Sequence, residues 1–413
     1  MHPLSNLEEK LADLKWFNGQ FEKKGKINFL FIEPQLSTKD MYKALFPFFY
    51  LWEVRGETIY SSTALTGLDK YDRELQLAGL HTRLTDEQID FADVIFFPFT
   101  TQDLSEEYDR IKAKKKIICF CVDLNFYEVP KEHPLKKYFS EPLKNTLESN
   151  VNNAHYAVTS NQELAKYLHE NKIKTNIICI PYYIGQDVIN TDIEADNSVL
   201  QVIGGGAKIQ PKPVKVKSTG DKKPAPPIKG NEFLEPINIG IIYSDLVDYK
   251  PFMSTLKAID KLGNVTFYII GYTPDEKDVF KGIHYNYVKK CSIKYYFKLL
   301  HSLKLNLCLV PLEANLYNET SEGISRFLEC GIFGIPLIAP DQYPYNTVVK
   351  HNQNGFIYKE IDDIPSMVKG LSTIMPFVNH TVKTNLINDV ILNHSWVQEK
   401  ADKIIEIFLK HIK

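Results

Sequence analysis

The chain has 413 residues, with 44% hydrophobic, 24% charged and 12% aromatic side chains. At roughly 100–200 residues per domain this length predicts two domains, or three, and the composition excludes wholesale disorder, a collagen-like fibre and a small disulfide-stapled scaffold. A net charge of −2 excludes a global field that draws the chain onto nucleic acid, so any such contact must come from a local patch.

The first 21 residues are mixed polar and charged and hold no apolar segment of the kind a signal peptide needs. No window approaches ~18 consecutive apolar residues, so no membrane span is expected. The strand signals then come in order. Lys26–Ile32, Asp93–Pro98, Lys116–Val122, His155–Thr159 and Asn176–Pro181 are short runs, apolar throughout rather than alternating. Strands of a parallel sheet, buried on both faces, read this way. Helical stretches separate several of them. Asn161 to Asn171 follows Ser160, a capping-type residue, and carries Leu164, Tyr167 and Leu168 on one face. Strand–helix–strand repetition predicts βαβ units in a doubly wound sheet.

A composition break follows. Ala207 to Lys229 holds seven Lys, five Pro and one Asp, with no aromatic residue or Leu. Such a stretch buries too little surface to offset its ordering entropy, so it reads as a linker or long loop at a domain boundary. It lacks Arg and interleaved aromatics, which a nucleic-acid arm would use for stacking. The preceding Gly204–Gly205–Gly206–Ala207–Lys208 lacks the phosphate-loop pattern, and Pro211 and Pro213 forbid the helix that pattern needs.

The βαβ rhythm then returns. Strands are expected at Ile237–Tyr243, Val265–Ile270, Asn306–Pro311 and Pro336–Ala339. Helices are expected at Pro251–Leu262, Ile293–Leu303, Ser325–Phe333 and Glu399–Ile412. The six cysteines, 119, 121, 179, 291, 308 and 330, lie mostly inside apolar runs and show no zinc spacing. Reduced thiols and a cytoplasmic location follow as expectations.

The segment Pro311–Tyr345, PLEANLYNETSEGISRFLECGIFGIPLIAPDQYPY, carries the densest pattern: strand, acidic loop, helix, Gly turn, strand. Gly323 sits just before the helix, where a missing side chain admits a ligand to the backbone. A helix start there suits a diphosphate. Glu322 and Glu329 are seven apart, nearly two turns of helix, which predicts both carboxylates on one edge ~10 Å apart. Carboxylates so placed accept hydrogen bonds from sugar hydroxyls. Arg326, four residues after Glu322, is expected to neutralise phosphate or to pair with a Glu.

This segment resembles the donor-binding region of GT-B glycosyltransferases of the family-4-like group (glycosyl transferases group 1). Leu328–Ala339 matches the half of that motif that holds the second Glu and the GxPxIA strand. In a related subgroup Arg326 stands where the last Lys of the motif falls. The usual Glu-x7-Glu spacing would put the first Glu at Ser321, and Glu322 is offset by one. Ala92–Phe97, Lys116–Asp123, Phe126–Pro130 and Val158–Ser160 resemble that subgroup's N-terminal domain.

The resemblance implies an α/β chain of GT-B architecture, two Rossmann-like domains facing across a cleft. Residues 1–203 form the acceptor-side domain, 204–236 the Lys/Pro-rich linker and 237–395 the nucleotide-sugar domain. Residues 396–413 form a helix returning to the N-terminal domain. It implies transfer of a hexose or pentose from a nucleotide-diphosphate sugar, with anomeric retention and without a metal or other cofactor. Glu322 is the candidate catalytic residue at the sugar, and Glu329 the candidate for ribose hydroxyls. Arg326 and the Gly323 backbone are assigned to the diphosphate, with Ser244 and Lys250 as further donor-side contacts. Asp123, at a strand's C-terminal end, and the stretches Pro34–Ser37 and Asp123–Tyr127 are acceptor-side candidates. The acceptor stays open among a glycan, a lipid-linked glycan and a hydroxylated DNA base. A non-catalytic nucleotide- or sugar-binding homologue is the other alternative.

Overall fold

A computed structural model describes residues 27–33, 59–65, 84–122, 124–171, 173–185, 236–244, 247–272, 274, 279–289 and 293–410. The Lys/Pro stretch at 207–229, Asp123, Asp245 and residues 34–37 lie outside them.

The N-terminal sheet holds β1 (Ile27–Glu33), β2 (Ile59–Leu65), β3 (Val94–Phe97), β4 (Ile117–Cys121), β5 (Tyr156–Thr159) and β6 (Asn176–Cys179). Its order is β2-β1-β3-β4-β5-β6 and every pairing is parallel. Every residue of β3, β4 and β5 is buried. That explains their unbroken apolar sequence, because a central parallel strand is covered on both faces. Alternate residues feed two separate cores. Phe29, Phe31, Phe96, Cys119 and Tyr156 lie in one; Leu30, Ile32, Ile95, Phe97, Ile118 and Phe120 lie in the other.

The second core is closed by α1 (Asp86–Phe91), α2 (Ser105–Ala113), α3 (Glu141–Asn153) and α4 (Gln162–Glu170), through Ile89, Tyr108, Ile111, Leu147, Val151, Leu164 and Leu168. Asn161 caps α4, accepting a hydrogen bond from the Leu164 amide at 2.9 Å. The cap is therefore one residue later than Ser160, the residue expected from the sequence.

The C-terminal sheet holds β7 (Ile237–Ile242), β8 (Val265–Ile270), β9 (Tyr285–Val288), β10 (Leu307–Leu309), β11 (Leu337–Pro340) and β12 (Phe356–Tyr358). Its order is β12-β11-β10-β7-β8-β9, again parallel throughout. Helices α5 (Met253–Asp260) and α6 (Ile293–Ser302) flank it. Three strands escape the sequence pattern: β2 is interrupted by Ser61, Ser62 and Thr63, β9 is a partly exposed edge and β12 is three residues long.

The chain crosses between the domains at a short backbone join. The Ile184 amide donates to His394 O at 2.8 Å, and the Trp396 amide donates to Ile184 O at 3.1 Å. The last helix (Gln398–Leu409) then packs on the N-terminal sheet. Its Phe408 meets Phe29, Phe96 and Tyr156 edge-on at 5.6, 5.8 and 5.8 Å between ring centroids. The N-terminal domain's first core is thus completed by the chain's C-terminus. Among the described residues no helix is long and apolar enough to cross a membrane.

Candidate functional site

Open parallel sheets gather ligands beyond the carboxyl ends of their strands. In the C-terminal domain that edge is set by β10. The Tyr358 hydroxyl accepts from the Leu312 amide at 3.2 Å and lies 2.9 and 3.0 Å from the carbonyls of Val310 and Leu312. It pins the strand exit before the chain turns into the acidic loop. That loop contains a helix the sequence reading lacked, α7 (Leu316–Ser321), capped by Asn315. Glu322 ends it with extended backbone, φ −87° and ψ 146°. The next helix, α8, spans Ser325–Gly331.

Segment 319–323 lies in the seam between the domains. From the N-terminal domain, the Asn125 amide donates to Ser321 Oγ at 2.9 Å and Asn125 Nδ2 to Thr320 Oγ1 at 3.1 Å. Asn161 Nδ2 donates to the carbonyls of Glu319 and Glu322 at 2.8 and 2.7 Å. The Gln162 amide donates to the Tyr343 hydroxyl at 3.1 Å. Asn125, Asn161, Thr320 and Ser321 are buried, so their bonds replace water contacts that the closed seam excludes, whereas the Gln162–Tyr343 bond lies at its exposed rim.

Gly323 is needed here for a reason other than ligand access. A Cβ on it would stand 2.9 Å from the ring of Tyr182, in the N-terminal domain. The Tyr182 ring thus fills the space that a side chain at this position would need. Gly323→Ala is expected to force the rings and backbone apart and to lower stability by about 1–2 kcal/mol, as overpacking does. Urea unfolding would read this as a lower midpoint at unchanged slope; an unchanged midpoint would mean Tyr182 yields freely.

Behind the seam lies a buried charge cluster. Arg326 Nη1 donates to Glu322 Oε2 at 2.6 Å, with side-chain exposures of 8% and 7%. The same nitrogen donates to the Tyr345 hydroxyl at 3.3 Å. Burial is the largest influence on Arg326 and opposes its charge, but the Glu322 carboxylate together with the Tyr345 and Tyr249 phenols outweighs it and holds the guanidinium protonated. Tyr249 lies close enough for this pair to act on its phenol, which burial pushes up. Its hydroxyl accepts from the Ser244 amide at 2.9 Å, tying the end of β7 to the cluster. On the far end of α8, Glu329 is 3% exposed and its Oε2 accepts from the Tyr296 hydroxyl at 2.6 Å.

These positions revise one expectation and choose between the alternatives of another. Glu322 and Glu329 are not two turns apart on one helix: Glu322 closes α7, Gly323 and Ile324 break the helix, and only Glu329 lies on α8. Arg326 takes the ion-pair alternative. The structure brings together Glu322, Arg326, Ser244 and Gly323. Lys250 is exposed, with its amide on Asp248 Oδ1 at 3.0 Å, and Asp123 lies outside the described residues. Tyr249, Tyr296 and Tyr345 escaped the sequence reading, since a tyrosine in an apolar run reads as core. All three are indeed buried, and only their hydroxyls mark them.

No protein-family model matches the chain, and no curated protein matches it in sequence. Solved structures match its backbone. The sucrose-phosphate synthase of Thermosynechococcus elongatus superposes with a TM-score of 0.60 at 12% identity, covering 93% of this chain and 98% of the other. The catalytic domain of starch synthase IV from Arabidopsis thaliana, bound to ADP and acarbose, gives 0.56 at 13%, covering 94% and 99%. Anabaena HepE, in complex with UDP and glucose, gives 0.55 at 11%, covering 93% and 100%. The chain has the GT-B fold. Both GT-B sheets and the returning C-terminal helix are present, and the buried Glu322–Arg326 pair lies at the carboxyl edge of the second sheet, against the first domain.

Proposed function

We propose that the protein is a glycosyltransferase that moves a sugar from a nucleotide-diphosphate sugar to an acceptor held by the N-terminal domain. The observation that carries this reading is the buried Glu322–Arg326–Tyr345 cluster in the interdomain seam of a GT-B fold. A desolvated charge pair of this kind costs stability relative to apolar packing, so it is a functional candidate by default.

In this reading the C-terminal domain takes the donor. Glu329 accepts from the ribose hydroxyls; Tyr296 orients its carboxylate. Arg326 has five N–H donors, and the contacts to Glu322 and Tyr345 both use Nη1. Its remaining donors, with the backbone around Gly323 and Ser244, are assigned to the diphosphate, whose negative charge grows as the glycosidic bond breaks. Lys250 is an outer cation for the same group. Glu322 accepts from a sugar hydroxyl at the reacting end. Retention of anomeric configuration and independence of a metal belong to the same proposal, as does the acceptor side at Asp123 and its neighbours.

Thermal shift and hydrolysis assays with UDP-glucose, UDP-N-acetylglucosamine, ADP-glucose and GDP-mannose test it. One donor at a hundred times its Kd should stabilise the fold by about 2.7 kcal/mol and release its nucleoside diphosphate slowly in the absence of acceptor. Stabilisation without any turnover would support the non-catalytic alternative. No stabilisation by any of the four, or by UDP, ADP or GDP, would overturn the reading.

A further inference from the structure

One aromatic group outside the donor cluster runs from the N-terminal core to the surface of that domain. Phe126, Tyr127 and Tyr167 form a row on the N-terminal domain. Phe126 is fully buried and backs Tyr127 at 4.3 Å between centroids; Tyr127 meets Tyr167 at 6.2 Å with the planes 39° apart. Both tyrosine rings are half-buried, so each keeps part of its surface to solvent. Each hydroxyl is tied to a carboxylate. Tyr127 donates to Glu148 Oε2 at 3.2 Å, and Tyr167 donates to Glu128 Oε1 at 2.5 Å.

The row starts at the interdomain seam. Asn125, which holds Ser321 and Thr320, also fixes Tyr127: its Oδ1 accepts from the Tyr127 amide at 3.2 Å. Asn161, which holds the Glu322 carbonyl, caps the helix that carries Tyr167. At ~1.5 Å per residue, Tyr167 is ~9 Å along that helix from its cap. Both elements leave the Glu322 segment and carry a phenol away from it, at a reach of one to two sugar rings.

Partly exposed rings suit the apolar faces of sugars, and carboxylates suit their hydroxyls, because each ionised carboxylate keeps lone pairs beyond the one a tyrosine uses. Burial pushes both phenols up, Tyr167 to about 12, and the adjoining carboxylates add to it. Both hydroxyls therefore stay protonated and keep the carboxylates turned along the row. Two carboxylates beside the rings oppose a phosphate- or sulfate-bearing acceptor.

We propose that Tyr127 and Tyr167, edged by Glu128 and Glu148, are the acceptor platform, and that the acceptor is a neutral oligosaccharide lying across the two phenols. The proposal rests on the glycosyl-transfer reading and names its acceptor class. It sets aside the hydroxylated DNA base.

Titration calorimetry of the full chain with maltotriose, cellotriose, laminaritriose and chitotriose tests it, with UDP, ADP and GDP titrated separately. At least one trisaccharide should bind with Kd below about 10 mM, with no dependence on salt. Tyr167→Ala should weaken that binding by about tenfold or more, the loss of one stacked ring. Tyr167→Phe keeps the ring and should stay within about threefold. Nucleotide binding should be unchanged in both variants, which also shows that they fold. Absence of binding by all four sugars, or binding indifferent to Tyr167→Ala, would overturn the platform. So would tighter binding of a single-stranded oligodeoxynucleotide with a steep salt slope. Loss of nucleotide binding in the unaltered chain, with sugar binding intact, would instead defeat the donor reading and leave the platform standing.

Discussion

Arg326→Met is expected to destabilise the folded protein by about 3–5 kcal/mol, because it strands the Glu322 carboxylate in the seam without its counter-charge. The guanidinium and the carboxylate are 2.6 Å apart and each less than a tenth exposed. A surface pair of the same geometry would contribute about 0–1 kcal/mol, so burial decides the size of the effect. Tyr345 loses its partner in the same substitution, which adds a buried hydroxyl to the cost. Glu322→Gln combined with Arg326→Met removes both charges, and stability should recover most of the loss. Urea unfolding of the two variants separates the cases. If the single variant matched the parent, the pair would be solvated and its assignment as a desolvated site would fall. If the double variant recovered stability but not donor turnover, the pair would be held for chemistry rather than for the fold.

Glu329→Ala is expected to weaken nucleoside-diphosphate binding by roughly ten- to a hundredfold, the value of one charged hydrogen bond of about 1.5–3 kcal/mol. The side chain is 3% exposed and already accepts one bond from Tyr296. The substitution therefore also takes that hydrogen bond away from the Tyr296 hydroxyl, and some loss of stability accompanies the loss of affinity. Tyr296→Phe distinguishes the two. It removes that hydrogen bond and keeps the carboxylate, so it should cost less affinity than Glu329→Ala. Calorimetry with UDP and ADP on both variants measures the difference. A folded Glu329→Ala variant with parental affinity would remove Glu329 from the donor site.

The parallel strands were legible because burial on both faces leaves a mark on every residue of a strand. Ile95, Phe96 and Phe97 serve opposite cores in alternation, so no position of that run tolerates a polar side chain. Where a strand has one exposed face or lies at an edge, the mark fades: β2 carries Ser61–Thr63, and β9 exposes Asn286 and Tyr287. The helix α7 went unread because its buried face is not simply apolar. Thr320 and Ser321 are buried against the other domain through hydrogen bonds from Asn125, Asn318 is buried with its side-chain amide on the Glu313 carbonyl, and polar residues of that kind read as loop.

The sequence by itself determined the two βαβ series, the GT-B expectation and the stretch in which a site should fall. The series follow from local periodicity and from the composition of short runs, and the GT-B expectation from the resemblance of Leu328–Ala339 to that family's motif. The tertiary structure decided how that stretch is used. Glu322 and Arg326 pair inside a closed seam although the helix breaks between them at Gly323, and Gly323 is required because Tyr182, distant in the chain, fills its space. Asn125 and Asn161 carry no signal of their own, yet they clamp the acidic segment from the opposite domain. The partner of a polar side chain is set by which surfaces the whole chain brings into contact, and a local pattern holds no record of a neighbour far away in sequence.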